Sequence, residues 1–360
     1  MPHRSVDTDP VLARLSALDR FLPLWILLAM AGGLLLGRLV PGLQGALDAV
    51  RIGTTSLPIA LGLLVMMVPV LAKVRYEEMG CPGGRLSPGT RTLLRLSLLL
   101  VWVLGPALMF SLAWLFLPQQ PEYRTGLILI GIAPCIAMVL IWIDLAQGDR
   151  EGAALLVAIN SIVQVLAYAL LGSFYLKVLP GWLRLDTQEV RFSIGAIAGA
   201  VVLFLGVPLV VGYLMRRIGL RTRGLAWYER RFIPFISPFA LYGLLFTIVV
   251  MFALQGQAIT ARPLTVVVIA IPLLLYFAIM WGVAFAVGWR SGLSYEKTAT
   301  LAFTAAGNNF ELAIAVSVSV WGVSSGQALA GVIGPLIEVP ALVSLVYLSL
   351  ALRRRLQRLA

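Results

Sequence analysis

Gly131-Ile132-Ala133-Pro134-Cys135 and Ala306-Gly307-Asn308-Asn309-Phe310-Glu311 break two otherwise apolar runs, and reading them as a pair decides the fold. The first falls within residues 126–146, the second within residues 299–320, roughly half a chain apart. Each run has about the 20 apolar residues needed to cross a bilayer as a helix. In the first, proline removes a backbone hydrogen bond and clashes with the preceding turn. In the second, three polar side chains and a flexible glycine stand where an ordinary span would be apolar. Irregular backbone at membrane depth is tolerated only inside protein or beside a water-filled cavity. Matched interruptions in two halves of a chain therefore point to a shared substrate site. Proline alone is weak evidence, because Pro58, Pro69, Pro106, Pro208, Pro272, Pro335 and Pro340 occur in other runs.

Outward from these breaks the same reading gives spans at residues 21–40, 52–74, 93–117, 126–146, 153–179, 194–215, 232–254, 264–289, 299–320 and 328–352. The apolar start at Phe21 has a cleavage-like Ala29-Met30-Ala31, but the run continues to Val40, as a retained span does and a signal peptide does not. The composition agrees: of 360 residues 60% are hydrophobic and 12% charged, with a mean hydropathy of +0.95, more apolar surface than a soluble domain could bury. The net charge of +12 suggests nucleic acid at first sight, yet the basic residues cluster between apolar runs, as positive-inside loops do. With the N-terminus in the cytoplasm, 21 of the 28 Lys and Arg fall on the cytoplasmic side, so both termini are expected there.

Five spans, a polar stretch and five more spans make two halves, and an odd number per half inverts one relative to the other. The expected organisation is a cytoplasmic tail at 1–20, a first five-helix repeat at 21–180, an inter-repeat loop at 181–193, a second repeat at 194–352 and a basic cytoplasmic tail at 353–360. The fold class is thus an all-α integral membrane protein of ten helices in two inverted repeats.

Near mid-membrane the formal charges are Glu311 and Glu338. Inserting each costs roughly 3 kcal/mol, so such groups face a cavity or a partner. Glu311, beside the Asn pair, suits a carboxyl that takes a proton when desolvated and releases it when exposed. Glu338, in Gly334-Pro335-Leu336-Ile337-Glu338-Val339-Pro340, is equally explained as a strut tying the last span to the core. Cys135 could be an ordinary buried cysteine, but after Pro134 at the break its sulfur is placed to ligate a soft metal or metalloid. Cys81, in a polar loop, reads as incidental, and no disulfide framework is implied. Asn160, Ser161 and Gln164 form a polar patch on the fifth span that either lines the cavity or bonds between helices. The sole histidine is His3, and there is no His-Glu-x-x-His or P-loop. A metalloprotease or ATP-driven pump has nothing to work with, and no cofactor is expected. No Lys or Arg lies mid-span, which favours a neutral substrate.

The segments 64–78, Ala133-Pro134-Cys135-Ile136-Ala137-Met138-Val139, Asn308-Asn309-Phe310-Glu311-Leu312-Ala313-Ile314-Ala315 and 334–340 resemble the ACR3 arsenite exporters, in the larger group that includes the bile acid:sodium symporters. The resemblance runs over nearly the whole chain, with Ile136 standing where a small polar residue such as threonine is expected. It implies a core domain around crossed, broken helices four and nine, a flatter panel domain, and a transport role for Cys135 and Glu311. On that basis arsenite, and antimonite with it, is expected to meet Cys135, Asn308 and Asn309, with proton antiport through Glu311. The alternative is a sodium-coupled symporter of organic anions in which the Asn and Glu groups hold sodium. An intramembrane enzyme or sensor is a further class, but no catalytic group beyond the two glutamates supports it.

Overall fold

The computed structural model describes residues 21–40, 42–43, 51–52, 55–74, 76, 87–185, 193–261 and 263–359. Cys81, residues 1–20 and residues 186–192 of the expected inter-repeat loop lie outside them. The chain is built from α1 (Leu22–Leu39), α2 (Leu57–Ala72), α3 (Pro88–Phe116), α4 (Pro121–Gly131), α5 (Val139–Leu145) and α6 (Arg150–Trp182). There follow α7 (194–223), α8 (225–261), α9 (Pro263–Arg290), α10 (Tyr295–Ala306), α11 (Phe310–Trp321) and α12 (Gly326–Leu359). Several are long and apolar enough to cross a membrane, and large side chains such as Leu27, Leu115, Leu166 and Phe235 face outward. In lipid that outward face carries no hydrophobic penalty.

Several boundaries differ from the sequence reading. The second span begins at Leu57, because Arg51–Ile52 pairs antiparallel with Thr55–Ser56 just ahead of it. The arginine-rich stretch expected as a loop between spans six and seven is helical on both sides of Gly224, whose φ of 78° and ψ of 167° suit glycine alone. Arg216 and Glu229 would stand about 20 Å apart on one straight helix. They are 3.7 Å apart, so the chain doubles back at Gly224. The basic end expected as a tail beyond residue 352 is helical through Leu359, and Arg353 bonds Gln147 and Glu296.

Four helices widen by one π-turn, at Leu100–Leu104, Phe174–Val178, Val202–Gly206 and Tyr228–Phe232. In each the N–H just after the turn reaches back five residues, and the next residue is proline: Pro106, Pro180, Pro208 and Pro234. A proline ring clashes with the carbonyl four residues earlier, and a wider turn moves that carbonyl aside. These helices absorb their prolines and continue.

The packing forms two groups. In one, α8 lies along α1 and α2, with α7 on α2; in the other, α9 packs on α10, α12 and α3, and α12 on α11 and α4. Residues 298–318 are buried almost without exception, so α10 and α11 form the centre of the second group. A helix covered on every side has no lipid face, and polar side chains on it meet protein.

Candidate functional site

The two breaks meet. The first runs from Ile132 to Met138 between α4 and α5; the second is Gly307-Asn308-Asn309 between α10 and α11. They touch as a single antiparallel bridge between Pro134 and Asn308. The Cys135 N–H donates to Gly307 O at 3.1 Å, and the Asn309 N–H donates to Ala133 O at 2.7 Å. Each break thus satisfies backbone groups that the other helix leaves open, which is how non-helical backbone persists at this depth. Four helix ends converge there: the C-termini of α4 and α10 and the N-termini of α5 and α11.

Side chains complete the junction. The Asn309 oxygen caps α11 by accepting from the Leu312 N–H at 3.0 Å, as an N-cap asparagine does. Its amide nitrogen donates to the Gln164 oxygen at 3.4 Å, and the Gln164 nitrogen donates to Pro134 O at 3.3 Å. The Asn308 amide donates to Ile130 O at 3.0 Å and approaches the Tyr276 hydroxyl at 3.5 Å. The Asn308 N–H donates to a Glu338 carboxylate oxygen at 3.4 Å, a bond that ties α12 to the second break. Ser161 donates within its own helix to Val157 O. Asn160 accepts from the Trp102 indole at 3.0 Å.

Cys135 is 2% exposed and packs against Gly307, where an added Cβ would lie 3.0 Å from its own Cβ. Its sulfur faces the N–H groups of Ala137 and Val139 and stands within electrostatic reach of Glu338 and Glu311. Glu311 occupies the first turn of α11, where the helix dipole favours an anion. Three groups named from the sequence, Cys135, Glu311 and Glu338, therefore share one neighbourhood, and Gln164 ties α6 to both breaks. Among the described residues Cys135 is a free cysteine, and no cluster of three or more His, Cys, Asp or Glu offers a metal cage. Among the described residues one buried amide atom at this centre, Asn308 Oδ1, lacks a hydrogen-bond partner, as does Asn160 Nδ2 on α6. Their desolvation is uncompensated unless water or a ligand reaches them.

Tyr276 and Tyr168 were missed in the sequence. Tyr168 donates to Leu129 O at 3.0 Å, holding the last turns of α4. The available signal was a hydroxyl-bearing ring in the middle of an apolar run, which needs a partner when buried.

Phe310 opens α11 beside Glu311, and Gly334 of α12 lets it sit there: a Cβ at Gly334 would fall on the Phe310 ring. Gly334→Ala is expected to cost about 1 to 3 kcal/mol through overpacking. The check is a lowered melting temperature of the detergent-purified protein, with Gly199→Ala, which meets nothing within 4 Å, nearly unchanged.

Apolar helices too many for a soluble core, with crossed breaks that carry polar and acidic groups at their meeting point, define a multi-pass membrane protein, and the family and relatives it matches are transporters, not enzymes. The model described as Sodium Bile acid symporter family matches residues 60–262, and the chain belongs to that family. It is 55% identical to the arsenical-resistance protein Acr3 of Corynebacterium glutamicum, over 98% of this chain and 94% of that one. It is 34% identical to an uncharacterized transporter of Synechocystis, over 92% and 88% of the two chains. A second arsenical-resistance protein Acr3, from Alkaliphilus metalliredigens, is 28% identical over 92% of each. The resemblance read from the four motifs is borne out.

Proposed function

We propose that this chain exports arsenite, and antimonite with it, from the cytoplasm by proton antiport. The observation that carries the reading is the position of Cys135 at the crossing of the two breaks, its N–H bonded to Gly307 O, in a chain 55% identical to an arsenical-resistance protein. Arsenous acid is uncharged near neutral pH and soft. Its arsenic exchanges a hydroxyl for the Cys135 sulfur, forming an As–S bond and releasing water that carries the thiol proton away. One thiol, unlike a cage of three, holds As(III) loosely enough for release. Asn308 and Asn309 supply amides to the remaining hydroxyls, and Asn308 Oδ1 has an acceptor to give. Glu311 takes a proton from the outer side and returns it to the cytoplasm, because a carboxyl prefers its neutral form in a low-dielectric setting and its charged form in water.

The architecture of this reading is ten spans in two inverted five-helix repeats, 21–180 and 194–352, with α4–α5 and α10–α11 as broken spans four and nine. The group containing α3 to α6 and α9 to α12 acts as the core, and α1, α2, α7 and α8 as the panel. Both termini are cytoplasmic, in accord with the basic excess on that side. The matching place of the breaks supports the repeat, since an inverted pair brings equivalent helices together at mid-depth.

Arsenite flux into everted membrane vesicles tests the proposal. An acid interior is expected to drive arsenite accumulation, and an equal sodium gradient at constant pH is expected to drive none. Accumulation under sodium alone, or none under either gradient, would overturn it.

A further inference from the structure

Away from the crossing, a cavity of about 310 Å³ opens between the end of α2 and the C-terminal turns of α7. Tyr76, Tyr213, Arg216, Arg217, Leu220 and Arg221 line it. The five from α7 recur at spacings of three and four, so they form one stripe along the helix. Its position is fixed by packing. A Cβ at Gly212 would come 2.7 Å from the Leu71 backbone, which shows how closely α7 lies on α2. The Tyr228 hydroxyl, across the Gly224 turn, donates to Ala72 O at 3.0 Å. Arg217 donates to the Tyr213 hydroxyl at 3.0 Å, and Tyr213 meets Tyr76 edge-on with ring centres 5.5 Å apart. Tyr76, beyond the end of α2, is held neutral because burial pushes its hydroxyl up, and it donates to Leu71 O.

The charge of this cavity is opposite to that of the crossing. Three guanidinium groups share the stripe, and Glu229 faces one of them, Arg216, at 3.7 Å. Like charges at helical spacing repel one another, and an anion laid between them removes that repulsion. Guanidinium forks match the oxygens of phosphate in pairs. A second stripe shows what the rest of the ligand is. Val210, Leu214 and Ile218, at intervals of four on the same helix, are 57%, 45% and 57% exposed, an apolar track running from the basic cavity along the membrane-facing side. Anion and hydrocarbon side by side, at the end of a span, is the chemistry of a phospholipid. Basic hollows between helices at the cytoplasmic surface take such headgroups.

We propose that this cavity binds the phosphate of an anionic phospholipid, with Arg217 and Arg221 on the phosphate and the acyl chain along Val210, Leu214 and Ile218. The full chain in neutral detergent is titrated with phosphatidylglycerol, phosphatidylcholine or inorganic phosphate, reading melting temperature and bound adducts by native mass spectrometry. Phosphatidylglycerol is expected to raise the melting temperature and persist as an adduct, and phosphatidylcholine to do neither. Arg217→Gln with Arg221→Gln should weaken the adduct by about tenfold, corresponding to ~1.4 kcal/mol. Arg223→Gln, which removes a single charge outside the cavity, should leave it unchanged. Saturation by inorganic phosphate in competition with the lipid keeps the phosphate site and makes the bound form a free anion. An adduct equally strong in the double variant, or weakened equally by Arg223→Gln, would overturn the proposal. None of these readings depends on arsenite transport, so this site and the transport site fail separately.

Discussion

Cys135→Ser is expected to abolish arsenite accumulation in vesicles and arsenite resistance in cells, with the protein present in the membrane at its usual amount. The substitution changes one atom in a packed junction. A hydroxyl keeps the contact with Gly307 and can bond the N–H groups that face the sulfur, so the crossing should hold. What is lost is affinity for soft arsenic: arsenous acid already carries three oxygen ligands, and exchanging one of them for a serine oxygen gains nothing over water. If the As–S contact contributes about 3 kcal/mol, occupancy at fixed arsenite falls by roughly two orders of magnitude. Flux measured with Cys135→Ser beside the wild type, and matched by immunoblot for amount, decides the point. Unaltered export by the serine variant would remove the thiol from the mechanism.

The expectation was available from sequence because a break in a membrane helix announces itself. Pro134 cannot continue a helical hydrogen-bond ladder, and two adjacent asparagines in an apolar run must be satisfied by something other than lipid. The positions of both interruptions, and of the acid beside the second, therefore follow from local chemistry. How the breaks satisfy each other does not. The bond from the Asn309 N–H to Ala133 O joins residues 176 apart in number, with no periodicity to mark it. Gln164 was legible only as part of a polar patch on α6; its double role, giving to Pro134 and taking from Asn309, depends on how α6 is rotated against the crossing. Tyr276 was hidden for a related reason: in Leu273-Leu274-Leu275-Tyr276-Phe277 its ring reads as core, and only tertiary packing turns the hydroxyl toward Asn308. The stretch from Arg216 to Arg231 misled in the other direction. Arginine is a good helix former, and here a run of charge does not mark the end of the helix.

Glu311→Gln is expected to uncouple export from the proton gradient, and the contrast with Glu338→Gln is what makes the result specific. Both acids are buried beside the same junction, and glutamine matches glutamate in size, so neither change should unfold the crossing. The acids differ in what they bond. Glu338 accepts the Asn308 N–H, a task that a glutamine oxygen performs equally well, so a strut survives the replacement. Glu311 stands in the first turn of α11, where the helix end accommodates a charge that can come and go during transport. Glutamine there is permanently neutral and has no proton to release to the cytoplasm. In everted vesicles an acid interior should then give no arsenite accumulation with Glu311→Gln and substantial accumulation with Glu338→Gln, while exchange of labelled for unlabelled arsenite across Glu311→Gln vesicles, which needs no net proton movement, should continue. If the Glu311 variant still concentrates arsenite in response to the proton gradient, the carrier is another group, and the reverse pattern between the two variants would assign it to Glu338.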